Sequence, residues 1–467
     1  MAGTISSLGI GSGVLTADVL DQLREADESR IITPLDSKIE LQNQKSEAFD
    51  LLSSLMTTFK SSVSSLSYDT LYQNRIVDVT GGNLEVSAEA GSQVQSFTLD
   101  TVALAQKNIQ QSGTFASPDD SVADGPGTMT VTIGSSSYNI AYDAAMSLSE
   151  LAQAINDEAG SRVTASVLQT GASAYSLILT SNETGADQTI SISDTPDVAG
   201  SGLVDALYND ATATSGFASV QDAKDAEFKY NGITITRAGN EVTDLISGVT
   251  LTLKTEGEVA SVDIKQDQLA VATEMKLFVE NYNNLITNMK DMTAFDQENG
   301  TQGVFNGESF IKSISRAINE IVTSVDGDNN SLVNYGIDID KYGVMSFDEA
   351  AFTEKFEADP EGLELFFAGG YVEATGETER GVFDTLNDKL NEYTKYSGLF
   401  DTFEANLDKR LESLTDERSR ALETLEGRYA ILEKQFIAYD AIISKINAQF
   451  ASLQQMIQAE MNADNNN

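Results

Sequence analysis

The stretch RYAILEKQFIAYDAIISKINAQFASL, Arg428 to Leu453, poses the fold problem for the whole chain. Its apolar residues Tyr429, Leu432, Phe436, Tyr439, Ile443, Ile446, Phe450 and Leu453, continued by Ile457, fall alternately three and four residues apart. That spacing lays a single apolar stripe along a supercoiled helix. A shorter ladder near the other end, Phe49, Leu52, Met56, Phe59, Val63 and Leu66, repeats the pattern. Both ladders read as coiled-coil seams that serve assembly. A final helix of about 60 residues would reach roughly 90 Å. A 100-residue domain has a radius of gyration of only about 13 Å, so this helix must pack on the N-terminal helix, on other subunits, or on both.

Outward from the ladders, Thr16 is placed to N-cap a helix ending near Ile31. Thr33-Pro34 is expected to restart it, with Thr33 as N-cap, Pro34 at the first helical position and Asp36 completing a weak capping box. Gln42 and Lys45 occupy seam positions of this second helix, and Arg418 interrupts the seam of the last one. Leu425 to Tyr429 is a stutter that contains Gly427, which reads as a hinge, so the seam proper is expected to begin at Tyr429.

Between the helical ends, residues from about 75 to 264 are rich in Thr, Ser, Gly and Val, with period-two runs. Phe97, Leu99 and Thr101 form one such run; Met129, Val131 and Ile133 form another; Tyr138, Ile140 and Tyr142 a third. Asn231-Gly232 predicts a hairpin turn. One short helix, Ser147 to Glu158, interrupts the strands. Helices are predicted again over Gln268–Met289 and about Glu308–Val325, then a strand pair around Tyr342-Gly343, a helix from Asp348, loops near Gly369-Gly370 and Thr375–Gly381, and a break at Ser397-Gly398.

Composition removes whole classes of function. The 467 residues include no Cys and no His, which excludes thiolate nucleophiles, disulfides, His-based catalysis and His-containing metal sites. A formal net charge of −43 repels nucleic acid and anionic membrane. No run of eighteen apolar residues occurs, so membrane insertion is not expected. Met1–Thr16 has neither the basic nor the apolar region of a cleaved secretory signal.

Two motifs invite chemistry. Asp338, Asp340 and Gly343 with Glu349 at the twelfth position resemble an EF-hand loop, but Tyr342 stands where a fifth-position ligand is needed and the flanks read as strands. A plain hairpin is the expectation. Gly9, Gly11 and Gly13 lack the Lys-Ser/Thr of a phosphate loop and follow no strand. No catalytic, cofactor-binding or metal-ligating residue is therefore nominated. A carboxylate-pair enzyme is the alternative from another class, and it needs two acids about 5–10 Å apart that a sequence cannot reveal.

Five segments, in order, carry a family resemblance. The run from Gly9 to Leu55, opening GIGSGVLTADVLDQLREADESRIITPLDSK, resembles the start of flagellar filament capping proteins, the hook-associated protein 2 family. DAEFKYNGITITRAGNEVTDLISGVTLTLK (Asp225–Lys254) is similar to that family's internal signature, and FVENYNNLI (Phe278–Ile286) to the helix after it. SLSELAQAINDEAGSRVTASV with LILTSNETG resembles a β-rich module around Ile155-Asn156 shared with other filament proteins. Arg428–Leu453 resembles the family's C-terminal coil.

The resemblance implies an α+β multidomain chain with N- and C-terminal coiled-coil helices packed together. The implied domains are a terminal coiled coil (1–42 and 415–467), a helical leg (43–75 and 266–414), a β-rich domain (76–112 and 222–265) and an inserted β-rich head (113–221). It also implies a structural, non-enzymatic role as the cap at the distal filament tip, retaining exported flagellin and promoting its polymerisation. The implied partners are further copies of the chain (a pentamer, with tetramer and hexamer as alternatives), flagellin, the hook–filament junction protein and a flagellar export chaperone. Export would run through the flagellar type III pathway. A flagellin or hook–filament junction protein is the rival within the same class, and Asp225–Lys254 with the polar tail Asn462–Asn467 argues against it; adhesion through the head could accompany capping.

Overall fold

The computed structural model describes Gly13 and residues 16–208, 217–295, 300–327, 329–372 and 376–464. It forms two units, Met1–Asp69 with Leu269–Asn467, and Thr70–Gln268. The chain opens with α1 (Ala17–Ile31), α2 (Thr33–Ser67) and the single turn α3 (Asp69–Gln73). Thr16 caps α1, its Oγ1 accepting from the Val19 amide. The expected capping role of Thr33 fails. Ile32 keeps right-handed helical angles and α2 already begins at Thr33, and the Asp36 amide donates to the Ile32 carbonyl at 2.9 Å, while the Asp36 carboxylate pairs with Arg418.

The unit Thr70–Gln268 holds β1 (Arg75–Thr80), β2 (Leu84–Ala88), β3 (Gln95–Ala103), β4 (Ile109–Gln111), β5 (Gly127–Ile133), β6 (Ser136–Tyr142), α4 (Leu148–Ala159), β7 (Val163–Gly171), β8 (Ala174–Ser181), β9 (Ile190–Pro196), β10 (Ala218–Gln221), β11 (Ala226–Tyr230), β12 (Ile233–Arg237), β13 (Glu241–Ile246), β14 (Val249–Leu253) and β15 (Glu258–Gln266). An antiparallel sheet β1-β15-β3-β11-β12 and a smaller one, β13-β14-β2, enclose a core of Phe97, Leu99, Phe228, Leu251 and Val262. After β3 the chain leaves for a second core and returns at β11. That core, Met129, Val131, Ile133, Leu151, Ile155 and Leu179 among others, lies with the sheets β10-β4-β8-β7 and β6-β5-β9 and helix α4.

Local chemistry explains these elements. Alternate residues of a strand share one face, so the period-two triplets bury one side of β3, β5 and β6. Asn231 and Gly232 both take positive φ, +48° and +82°, which suits a tight two-residue hairpin between β11 and β12. Ser147 and Glu150 cap α4 reciprocally. The Asn156 side chain then binds both backbone groups of Ala165, each at 2.8 Å, and so ties α4 to β7.

The other unit adds α5 (Gln268–Thr293), α6 (Ser309–Val322), β16 (Ile337–Ile339), β17 (Met345–Phe347), α7 (Glu349–Ala358), α8 (Pro360–Ala368), β18 (Gly369–Val372), β19 (Glu377–Arg380), α9 (Val382–Thr394) and α10 (Leu399–Asp464). Its core is aromatic. Phe59 stacks on Phe278, which meets Phe383 edge-on at 5.0 Å, while Phe49 sits 5.1 and 4.9 Å from Phe400 and Phe403. The loops expected near Gly369-Gly370 and from Thr375 to Gly381 instead contribute β18 and β19, an antiparallel pair, and α8 was not anticipated. Pro at its first position and Asp359, whose carboxylate accepts from the Gly362 amide at 2.9 Å, start α8. The hinge expected at Leu425–Tyr429 is absent: α10 is one helix of 66 residues through Gly427. Leu425 and Tyr429 on either side of that glycine are both buried, and their packing holds the helix where Gly427 alone would weaken it.

Candidate assembly interface

Helices α1 and α2 run antiparallel to α10: as residue numbers rise on the first pair, their partners on α10 fall. The Gln42 amide nitrogen donates to the Leu407 carbonyl at 3.0 Å, Asp36 pairs with Arg418, and Asp27 pairs with Arg428 at 3.0 Å. Gln42 and Arg418, which look like faults in the apolar seams, are thus matched to partners. Lys45 pairs with Glu308 at 3.0 Å.

Asp27 is the most heavily used of these groups. Its carboxylate accepts from Tyr429 Oη at 3.0 Å, Arg428 Nη1 at 3.0 Å and Arg30 Nη2 at 3.2 Å. Loss of water, and then the bond to Asp27, hold the Tyr429 phenol above its ordinary pKa. Nothing in the period of the ladders singles out Asp27. The signal that could have found it is charge order, acids at 27 and 36 against arginines at 428 and 418.

The two ladders part company here. Phe49, Leu52, Met56 and Phe59, with Val63 and Leu66, are at most 1% exposed and lie inside one chain, where α2 meets α9 and α10. Buried so, they have no surface to offer another copy. The expectation that they are an assembly seam is corrected on that ground. On α10 the burial against α1 ends near Tyr429, where α1 begins: Ala17 and Leu20 border a cleft of about 300 Å³ with Tyr429, Ala430 and Glu433. Tyr429 was expected to open the seam; within the chain it is itself buried, and farther along α10 Asp440 is buried as well. Leu432, Phe436 and Ile443 are half-buried. Tyr439, Ile446, Phe450 and Leu453 are 57%, 51%, 66% and 53% exposed, and Ile442, Met456, Ile457 and Met461 are exposed beside them. An exposed apolar band of this length on a helix is a surface that gains by being covered.

The acidic loop is a hairpin. β16 and β17 pair around Gly343; Asp340 Oδ1 accepts from the amides of Tyr342 and Val344, and Glu349 pairs with Lys276 at 2.8 Å. Among the described residues no group of three or more acidic side chains is arranged to hold a metal ion, and no helix is long and apolar enough to cross a membrane. Gly9 and Gly11, and residues 465–467 of the polar tail, lie outside the described residues.

Comparison with known proteins agrees with this architecture. Residues 12–108 match the family described as "Flagellar hook-associated protein 2 N-terminus" and residues 223–448 "Flagellar hook-associated protein 2 C-terminus"; residues 128–183 match the "Flagellin hook IN motif". The chain is 32% identical over 414 residues to flagellar hook-associated protein 2 of Campylobacter jejuni, covering 78% of this chain and 64% of that protein. The chain thus spans just under two thirds of that relative's length. It is 25% identical to the proteins of the same name from Helicobacter pylori strain J99 and Escherichia coli K12, covering 97% and 98% of this chain and 98% and 99% of theirs. In structure it is similar to the D1, D2 and D3 domains of the Escherichia coli flagellar cap protein, with a TM-score of 0.57 at 24% identity, covering 77% of this chain and 99% of that one.

Proposed function

The chain belongs to the flagellar hook-associated protein 2 family, and from that premise we propose that it is a structural cap at the distal end of a bacterial flagellar filament. The cap retains flagellin delivered to the tip and promotes its folding and insertion, so that the filament elongates. The work is mechanical. Nothing in the site calls for a cofactor, and with neither His nor Cys in the sequence the ordinary nucleophile–base pairs cannot form.

The observation that carries this reading is the exposed apolar band of α10 from Tyr439 onward. Several copies would bury these bands against each other or against the filament end, each fully covered large side chain contributing roughly 1.5–3 kcal/mol. The α1–α2–α10 bundle serves as the terminal rod and leg, and the two β-rich cores form the head that spreads over the tip. A pentamer is the reading adopted, with tetramer and hexamer as alternatives. Flagellin, the junction protein and an export chaperone are the proposed partners, and the type III channel the export route.

Replacing Phe450 with Asp, alone and together with Phe436→Asp, tests the assignment. Phe450 is two-thirds exposed, so the variant is expected to fold with unchanged circular dichroism while cells release unpolymerised flagellin. Filaments of normal length from the double variant would remove the band from the capping mechanism.

A further inference from the structure

A basic groove breaks the acidity of the chain. Lys290 at the end of α5 and Lys312 and Arg316 on α6 border a groove of about 290 Å³ with Met289 and Ile311, and among the described residues no acidic side chain lines it. The formal net charge of the whole chain is −43. Lys290 donates to the Tyr342 carbonyl at 2.7 Å and Arg316 to the Lys312 carbonyl at 3.3 Å, bonds that leave their positive charges uncompensated. Among the described residues none of the three is in an ion pair.

The matching charge lies on α10. Glu404, Asp408, Glu412 and Asp416 recur every four residues, are all exposed, and so form one acidic stripe. Like charges at this spacing oppose one another within a helix, and among the described residues none of the four has a cationic partner. Asp408, Glu412 and Asp416 border a shallow groove beside Ala405 and Leu411, in which Lys409 is the one cation among the described residues. Lys312 and Arg316 are also four residues apart, so cations and anions repeat at the same interval of about 6 Å along their helices.

We propose that the α5–α6 groove receives the acidic stripe of α10 from a second copy of this chain. The charges complement each other in sign and spacing, and the two surfaces are different patches of one unit. Such a contact is heterologous, the kind that propagates head to tail and closes into a ring when the rotation allows. This names the subunit contact of the cap and rests on the proposed ring. The groove steers and registers the contact, and the apolar band of α10 remains for burial.

The test uses the full-length chain and light scattering over a range of concentrations, at about 0.05 and about 0.5 M salt. Lys312→Glu with Arg316→Glu, and separately Glu412→Lys with Asp416→Lys, are each expected to raise the concentration at half-assembly about tenfold or more at low salt, and less at high salt. Combining all four substitutions in one chain should restore assembly whatever the subunit number, which a misfolded variant could not do. If the parent assembles and either double variant assembles at the parental concentration, the groove contact is overturned while the ring stands. Loss that the four-substitution chain does not repair also overturns it. So does assembly of the Lys312→Glu/Arg316→Glu variant itself at the parental concentration together with release of monomeric flagellin from its cells, which would turn the groove toward the filament. A parent that is monomeric at every concentration overturns the ring together with the contact.

Discussion

Asp27 shows how one carboxylate can position a helix. It accepts from Tyr429, Arg428 and Arg30, and its side chain is only 17% exposed. Exposed ion pairs contribute little, about 0–1 kcal/mol, but a half-sheltered acceptor with several donors contributes more. Asp27→Ala is expected to cost about 1–2 kcal/mol locally, read as faster amide hydrogen exchange across Ala17–Ile31 with the exchange of α5 unchanged. Tyr282 gives a second prediction at this scale. Burial pushes its phenol up to about 12. An ordinary tyrosine titrates near 10. A raised folded pKa means the unfolded chain gives up its proton first, so this contribution to stability is whole below about pH 10 and is lost as pH rises toward about 12. Phenolate absorbance from Tyr282 should therefore appear together with unfolding in that window, and Tyr282→Phe should resist alkali better than the parent. Phenolate formation by Tyr282 near pH 10 in the folded chain would contradict its burial.

Elements were legible wherever a local rule acts alone. The cap at Thr16, the short helix expected from Ser147 to Glu158, the Asn231-Gly232 hairpin and the break at Ser397-Gly398 need only neighbours in sequence, and the structure has them. The rule failed where the chain around the position decided otherwise. The Asp36 amide donates to the Ile32 carbonyl, so α2 follows α1 with no side-chain cap at Thr33, and Gly427 did not become a hinge because Leu425 and Tyr429 are packed on either side of it. Gly427 is exposed, and a Cβ added there would meet nothing within 4 Å. Gly427→Ala is thus expected to stabilise α10 by about 1 kcal/mol, measured by urea unfolding, and to leave filament growth intact. A stabilised variant that no longer supports filaments would revive the hinge. The β18–β19 pair escaped notice for a related reason. Its strands are four residues each with little alternation, and only their register across the turn marks them.

At the scale of the molecule, the β-rich unit buries Phe228 in a core of its own, and the helical unit buries Phe49. Truncating a buried Phe to Ala typically costs about 3–5 kcal/mol. Phe228→Ala should lower one calorimetric transition and Phe49→Ala another; a single transition moved equally by both would show that the units unfold as one. The candidate interface is also a matter of this scale. The sequence by itself determined the elements, the two apolar ladders and, through its lack of His and Cys, the absence of the usual catalytic chemistry. Periodicity says that a helix face will be covered, because removing apolar surface from water is favourable whatever covers it. It carries no information about which molecule does the covering. Only the tertiary structure decided that Phe49 to Leu66 are covered by the chain's own α9 and α10, while Tyr439, Ile446, Phe450 and Leu453 on α10 are left exposed.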